Sequence, residues 1–181
     1  MNDAVHAHLA AQTPAPWLVL RTRSRQENVV QEVLRQREIH SFLPKQRDRA
    51  RPVETALFPG YIFVQPRPEQ VGALRTVRGS CGLLMSCGRH AQVVERDVQA
   101  IRIMVGSGAP LDVHSELVEG QTMEVIAGPF KHAQGQFVAS RRQQRLVINL
   151  HLIGRSLSVE IDAAHVRPVP VAAPDAGAPA W

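Results

Sequence analysis

The chain has 181 residues, 44% of them hydrophobic and only 4% aromatic, and its 21 basic and 16 acidic side chains leave a net charge of +5. That composition describes a folded globular protein of one or two domains rather than a disordered chain. No apolar run approaches the roughly 20 residues a membrane helix needs, Met1 to Gln12 lacks the pattern of a secretory leader, and Cys81 and Cys87 are too few for a disulfide framework.

Residues 1–16 carry Ala, His and Pro without a core pattern and are expected to be a flexible N-terminus. Trp17 to Thr22 is a β-type apolar run. Ser24-Arg25-Gln26-Glu27 has the spacing of a capping box, and Val29, Val30, Val33 and Leu34 recur at helical spacing behind it. Strands are predicted at His40 to Lys45 and Leu57 to Gln65. Pro68 is read as opening a second helix that places Val71 and Leu74 inward and ends at Gly79. Short strands at Gly82 to Met85 and Gln92 to Val94 lead to a third helix, Glu95 to Val105, with acids in its first turn. This order predicts an α+β domain over 17–105, a ferredoxin-like split βαβ sheet with an added helix.

Gly106-Ser107-Gly108-Ala109-Pro110 breaks that helix and is read as opening a linker over 106–118. Strands are then predicted at Thr122 to Ala127, Gly135 to Ser140, Arg145 to Leu152 and Leu157 to Ile161. Their strict period-two alternation predicts a small SH3-like β-barrel over 119–168. Gly128-Pro129 enforces a turn, Phe130 supplies a large anchor, and Gly135 is read as a positive-φ position. Residues 169–181, rich in Pro and Ala, are expected to be a flexible tail.

Arginine dominates the cations: only Lys45 and Lys131 are lysine. Between Trp17 and Arg51 nine basic residues face four acidic ones, which equals the chain's whole net charge, while Glu95 to Glu124 is acidic. So polarised a chain points to a polyanion on one face. Catalysis is not expected. The eight histidines lack metal-ligand spacing, and neither a phosphate loop nor a nucleophile elbow is present, so no cofactor and no metal are predicted.

The segment Glu119 to Phe130, followed by Gly135, Leu152-Ile153-Gly154-Arg155-Ser156 and Val159-Glu160, resembles the KOW domain of NusG-type transcription elongation factors. Trp17-Leu18-Val19-Leu20, Glu27, Phe42-Leu43-Pro44-Lys45, Leu57-Phe58-Pro59-Gly60-Tyr61-Ile62-Phe63-Val64 and Arg78-Gly79 resemble the NusG N-terminal domain. Phe-Leu-Pro-Lys and Leu-Phe-Pro-Gly-Tyr-Ile-Phe-Val are phrased as in the specialised RfaH-like and UpxY-like paralogues. The resemblance implies a cytoplasmic, monomeric elongation factor and antiterminator that is not an enzyme.

Carried over residue by residue, the resemblance implies that Trp17, Phe58, Pro59 and Tyr61 grip the clamp helices of RNA polymerase, with Phe58 and Tyr61 at the surface. It implies that Arg21, Arg23, Arg25, Arg35 and Arg78 face the non-template DNA strand. Leu152, Ile153 and Arg155 would meet a ribosomal protein of the small subunit or Rho. Gln70-Val71-Gly72-Ala73 departs from the Thr-rich stretch by which RfaH touches the polymerase gate loop. The β-branched, Gly-punctuated C-terminal half predicts a constitutive barrel rather than RfaH's alternative helical hairpin. A second reading takes Tyr61 and Phe63, at i and i+2, as base-stacking residues of a partial RNA-recognition motif, with the KOW barrel binding RNA.

Overall fold

In a computed structural model the described residues are 15–47, 53–115, 119–139 and 143–169. Expectations for 1–14 and 170–181 lie outside them.

The first apolar run forms β1 (Trp17–Thr22), whose side chains alternate between two faces. Helix α1 (Glu27–Gln36) follows, burying Val30 and Leu34 on the inward stripe while Val29 stays exposed. The expected capping box is absent. The N-cap is Gln26, with no side-chain cap, because the chain turns through a left-handed Arg25 (φ 59°) and the helix starts at Glu27 itself. Then come β2 (His40–Phe42), the hairpin of β3 (Lys45–Arg47) and β4 (Glu54–Ala56), and β5 (Tyr61–Gln65). Leu57 to Gly60, expected in a strand, is a turn.

The predicted second helix is two 3-10 turns, Pro68–Gln70 and Gly72–Thr76, which still bury Leu74. The Arg37 guanidinium donates to the Ala73 and Thr76 carbonyls and so takes up backbone acceptors that a longer α-helix would have used internally. β6 (Ser80–Leu83), the short hairpin of β7 (Met85–Ser86) and β8 (Arg89–His90), and β9 (Gln92–Val93) lead into α2 (Glu95–Gly106). The sheet order is β2-β5-β1-β6, all antiparallel, with β9 pairing the start of β1. A split βαβ produces this order, because the β1-to-β2 crossover leaves room for β5 and the β5-to-β6 crossover passes over β1.

β1 and β5 feed two separate cores. Leu18, Leu20, Ile62 and Val64 pack with α1 and Leu74. Trp17, Val19 and Phe63 face the other way, toward Val98, Ile101 and Met104 of α2. That second core continues without a break into the C-terminal half.

The segment read as a linker is shorter than expected. Leu111 is buried, and β10 (Asp112–His114) pairs with β14 (Arg155–Glu160). One apolar side chain on so short a strand carries no period to read. What fixes it is distant: Asp112 meets Arg145 at 3.0 Å, and His114 bonds the Ser158 hydroxyl. The remaining strands are β11 (Gln121–Val125), β12 (Gln134–Ala139), β13 (Gln144–Leu150) and β15 (Val166–Pro168), in the order β10-β14-β13-β12-β11-β15. The sheet wraps around Leu146, Ile148, Leu157, Val125 and the anchor Phe130. Gly135 does not adopt a positive φ; it is needed for close approach, because a Cβ there would lie 2.6 Å from the Val147 carbonyl oxygen. Gly128, at φ 79°, makes the expected turn.

Candidate functional site

The turn between β4 and β5 is tied by hydrogen bonds to two other elements. Gly60 takes φ 86°, a conformation that strongly favours glycine. Its carbonyl accepts from the Thr22 amide of β1 at 2.9 Å, and its own amide donates to Glu27 Oε1 at the head of α1 at 2.8 Å. Inside the turn the Tyr61 amide donates to the Phe58 carbonyl at 3.1 Å. Pro59 is therefore held out in solvent and Tyr61 is half-buried beside it.

Phe58 is a correction to the sequence reading. It is 2% exposed and packs edge-on against Phe63, with ring centroids 6.1 Å apart, so it is core and not a surface anchor. Trp17 is a second correction, also at 2%. Its indole N–H donates to Glu95, and the Arg102 guanidinium lies 5.0 Å over its ring and equally over Phe42. The covering groups sit on α2, more than 75 residues away in sequence, so no local pattern could have shown them. Glu27, read from the sequence as the capping-box acid and as a family position, is the residue that reading undervalued, because it accepts from the Gly60 amide. No local signal shows a partner 33 residues away.

Four of the five arginines expected to form one strip gather near the C-terminal end of β1. Arg21 lies across from Tyr61 on one side and Gly82 on the other. The Arg23 amide bonds the Gly79 carbonyl at 2.8 Å, which brings the neighbouring Arg78 to the same corner, and Arg25 follows in the turn. All four are exposed, and among the described residues none has an acidic partner. Arg35 does not join them. It sits in the last turn of α1, about 12 Å along the helix from Glu27 by the usual rise of about 1.5 Å per residue, and Glu32 holds it through two hydrogen bonds. That pairing raises the guanidinium's pKa and lowers the carboxyl's, chiefly through the side-chain hydrogen bonds.

In the barrel, β13 runs into a 3-10 turn, His151–Ile153, closed by a left-handed Gly154 (φ 60°). Leu152 and Ile153 are half-buried and share a cavity of about 220 Å³ with Val19, Phe63 and Val93 of the N-terminal sheet. Arg155 remains exposed. Of the residues expected to meet partners, Leu152 and Ile153 therefore face the N-terminal sheet, while Pro59 and Tyr61 do not line this cavity. Asp97, in the first turn of α2, lies on this seam, between that cavity and a second one lined by Gln134, Gly135 and Gln136 of the barrel. Burial pushes the Asp97 carboxyl up from its ordinary value, and Arg96 and then His151 pull it partly back.

No helix among the described residues is long and apolar enough to cross a membrane, and no group of three or more His, Cys, Asp or Glu there could hold a metal ion. Residues 15–102 match the model of the family described as transcription termination factor nusG. Proteins described as transcription termination/antitermination protein NusG from Streptococcus pyogenes serotypes M3, M1 and M18 are each 25% identical over 167 residues, which covers 81% of this chain and 92% of the relative. Among solved structures, one titled "Domain interaction in Thermotoga maritima NusG" aligns with a TM-score of 0.49 at 22% identity, covering 86% of this chain and 97% of that one. Another, titled "Crystal Structure of MjSpt4:Spt5 complex conformation B", has a TM-score of 0.33 at 14% identity, covering 84% and 96%.

Proposed function

We propose, from the premise that the chain belongs to the NusG family through residues 15–102, that this transcription elongation and termination factor works as an operon-specific antiterminator bound to RNA polymerase. The observation that carries the reading is the turn at Pro59–Tyr61, an exposed proline and a half-buried tyrosine locked to β1 and α1. A rigid aromatic beside a proline suits the centre of a protein interface, where little ordering entropy is lost on docking. Its partner is the pair of polymerase clamp helices. Binding the processive state in preference to the paused one shifts the population toward elongation. The corner formed by Arg21, Arg23, Arg25 and Arg78 lies next to Tyr61 through the β1–β5 pairing, so it supplies the non-template DNA strand with phosphate contacts that weaken as salt rises.

The barrel contributes a second contact through Leu152, Ile153 and Arg155, to a ribosomal small-subunit protein or to Rho. Leu152 and Ile153 are engaged with the N-terminal sheet, so this contact requires the domains to part. The RNA-recognition reading loses its basis, because Phe63 is 1% exposed on a sheet face covered by α2 and cannot stack on a base.

The test is transcription in vitro on templates with a pause and a Rho-dependent terminator, with and without the protein. Shortened pauses and read-through are the expected outcome. Earlier termination with Rho would assign a housekeeping role instead, and no change in either would overturn the reading.

A further inference from the structure

Glu27 is a buried carboxylate, 9% exposed, at the first position of α1, and it accepts a hydrogen bond from the Gly60 amide. Helix-opening acids ordinarily stay in solvent, where they favour the helix N-terminus at no cost in desolvation. This one is withdrawn from water and, among the described residues, takes one backbone N–H, on a turn 33 residues away. Burying a carboxylate is expensive unless hydrogen bonds compensate, so a plain apolar residue would serve helix packing better. What the carboxylate supplies is direction. Thr22 fixes the Gly60–Tyr61 peptide from β1 through the Gly60 carbonyl, Glu27 fixes the Pro59–Gly60 peptide from α1 through the Gly60 amide, and Gly60 is held on both sides. A Cβ at Gly60 would meet only the Thr22 carbonyl oxygen, at 3.9 Å, so packing anchors the turn at the buried Phe58 and leaves its Gly60 end to hydrogen bonds.

We infer that Glu27 is a positioning residue for partner binding: its carboxylate sets the orientation of the Pro59–Gly60 peptide and hence the angle at which Pro59 and Tyr61 are presented. This rests on the polymerase reading given above. Without the carboxylate the Gly60 amide turns to water, the turn samples several orientations, and a docking partner must select the competent one, so apparent affinity falls by the fraction that is competent.

The test measures retention of the full-length chain on RNA polymerase elongation complexes, together with exchange of the Gly60 amide by NMR. Glu27→Met keeps an unbranched side chain of similar length and removes the acceptor; Glu27→Gln keeps an acceptor oxygen. Expected are affinity about tenfold weaker for Glu27→Met with fast Gly60 exchange, and affinity within about twofold of wild type for Glu27→Gln with the amide still protected. Wild-type affinity in Glu27→Met, or equal losses in both variants, overturns the assignment. If Glu27→Met fails to fold, Glu27→Asp, one methylene short of Gly60, decides in its place, and wild-type affinity there overturns it. Tyr61→Ala is the separate control. Its loss of binding alongside a tightly binding Glu27→Met rejects only the positioning role, whereas undiminished binding by Tyr61→Ala rejects the polymerase patch and the positioning role with it.

Discussion

The turn at Phe58–Tyr61 and the turn at His151–Arg155 are both expected to meet partners, yet they are held in different ways. The first is tied by hydrogen bonds to β1 and α1 of its own domain, so its shape does not depend on the barrel. The second joins the paired ends of β13 and β14, with the Gly154 amide donating to the His151 carbonyl at 3.3 Å, and its half-buried apolar side chains pack against the core shared with the N-terminal half. Hydrogen bonds fix a surface for presentation, whereas apolar packing across a seam hides it until the seam opens.

The largest test of that contrast is Phe58→Ala. A large aromatic lost from a core costs about 3–5 kcal/mol, so denaturant unfolding should show a loss of that size and binding cannot be read cleanly. Tyr61→Ala, half-buried beside it, should leave unfolding nearly unchanged while weakening polymerase binding by about 2 kcal/mol, read by titration onto elongation complexes. Equal effects on folding would erase the distinction between core and presented aromatic.

A smaller effect is expected at the seam. The Asp97 carboxyl, raised by burial, binds its proton more tightly with the domains together than apart. Closure is therefore favoured fully below the ordinary carboxylate range and weakens as pH rises through the raised value. Interdomain energy transfer between dyes on the two halves should fall over that window and become flat there in Asp97→Asn, with closure persisting to higher pH. The smallest effect is at Arg35. Arg23→Ala should reduce the salt dependence of DNA binding by about one unit of slope, and Arg35→Ala should leave it unchanged.

The mixed first half and the strands of the β-rich second half were legible because alternation and helical spacing are local and β1, α2 and β13 have enough residues to show them. The segment at 112–114 was not, since three residues carry no period and its evidence lies in Arg145 and Ser158. For the site the division is similar. Leu57 to Gly60 reads as strand from its apolar run but is a turn, because Pro59 and Gly60 interrupt it, and which aromatic goes inward depends on Phe63 and α2. Trp17 was misplaced for the same reason. Arg35 failed on geometry, because counting charge along the sequence ignores a helix that carries one member of the group to its far end.

Strand β1 bears on how opening and unfolding would be told apart. It is bonded to β5 on one edge and to β6 and β9 on the other, and its two faces serve different cores. Separation of the barrel would alter the surroundings of Val19 without releasing a β1 main-chain bond. The amide protons of β1 should therefore exchange with solvent only when the whole N-terminal domain comes apart. Their exchange clock would run on folding stability alone, blind to the seam.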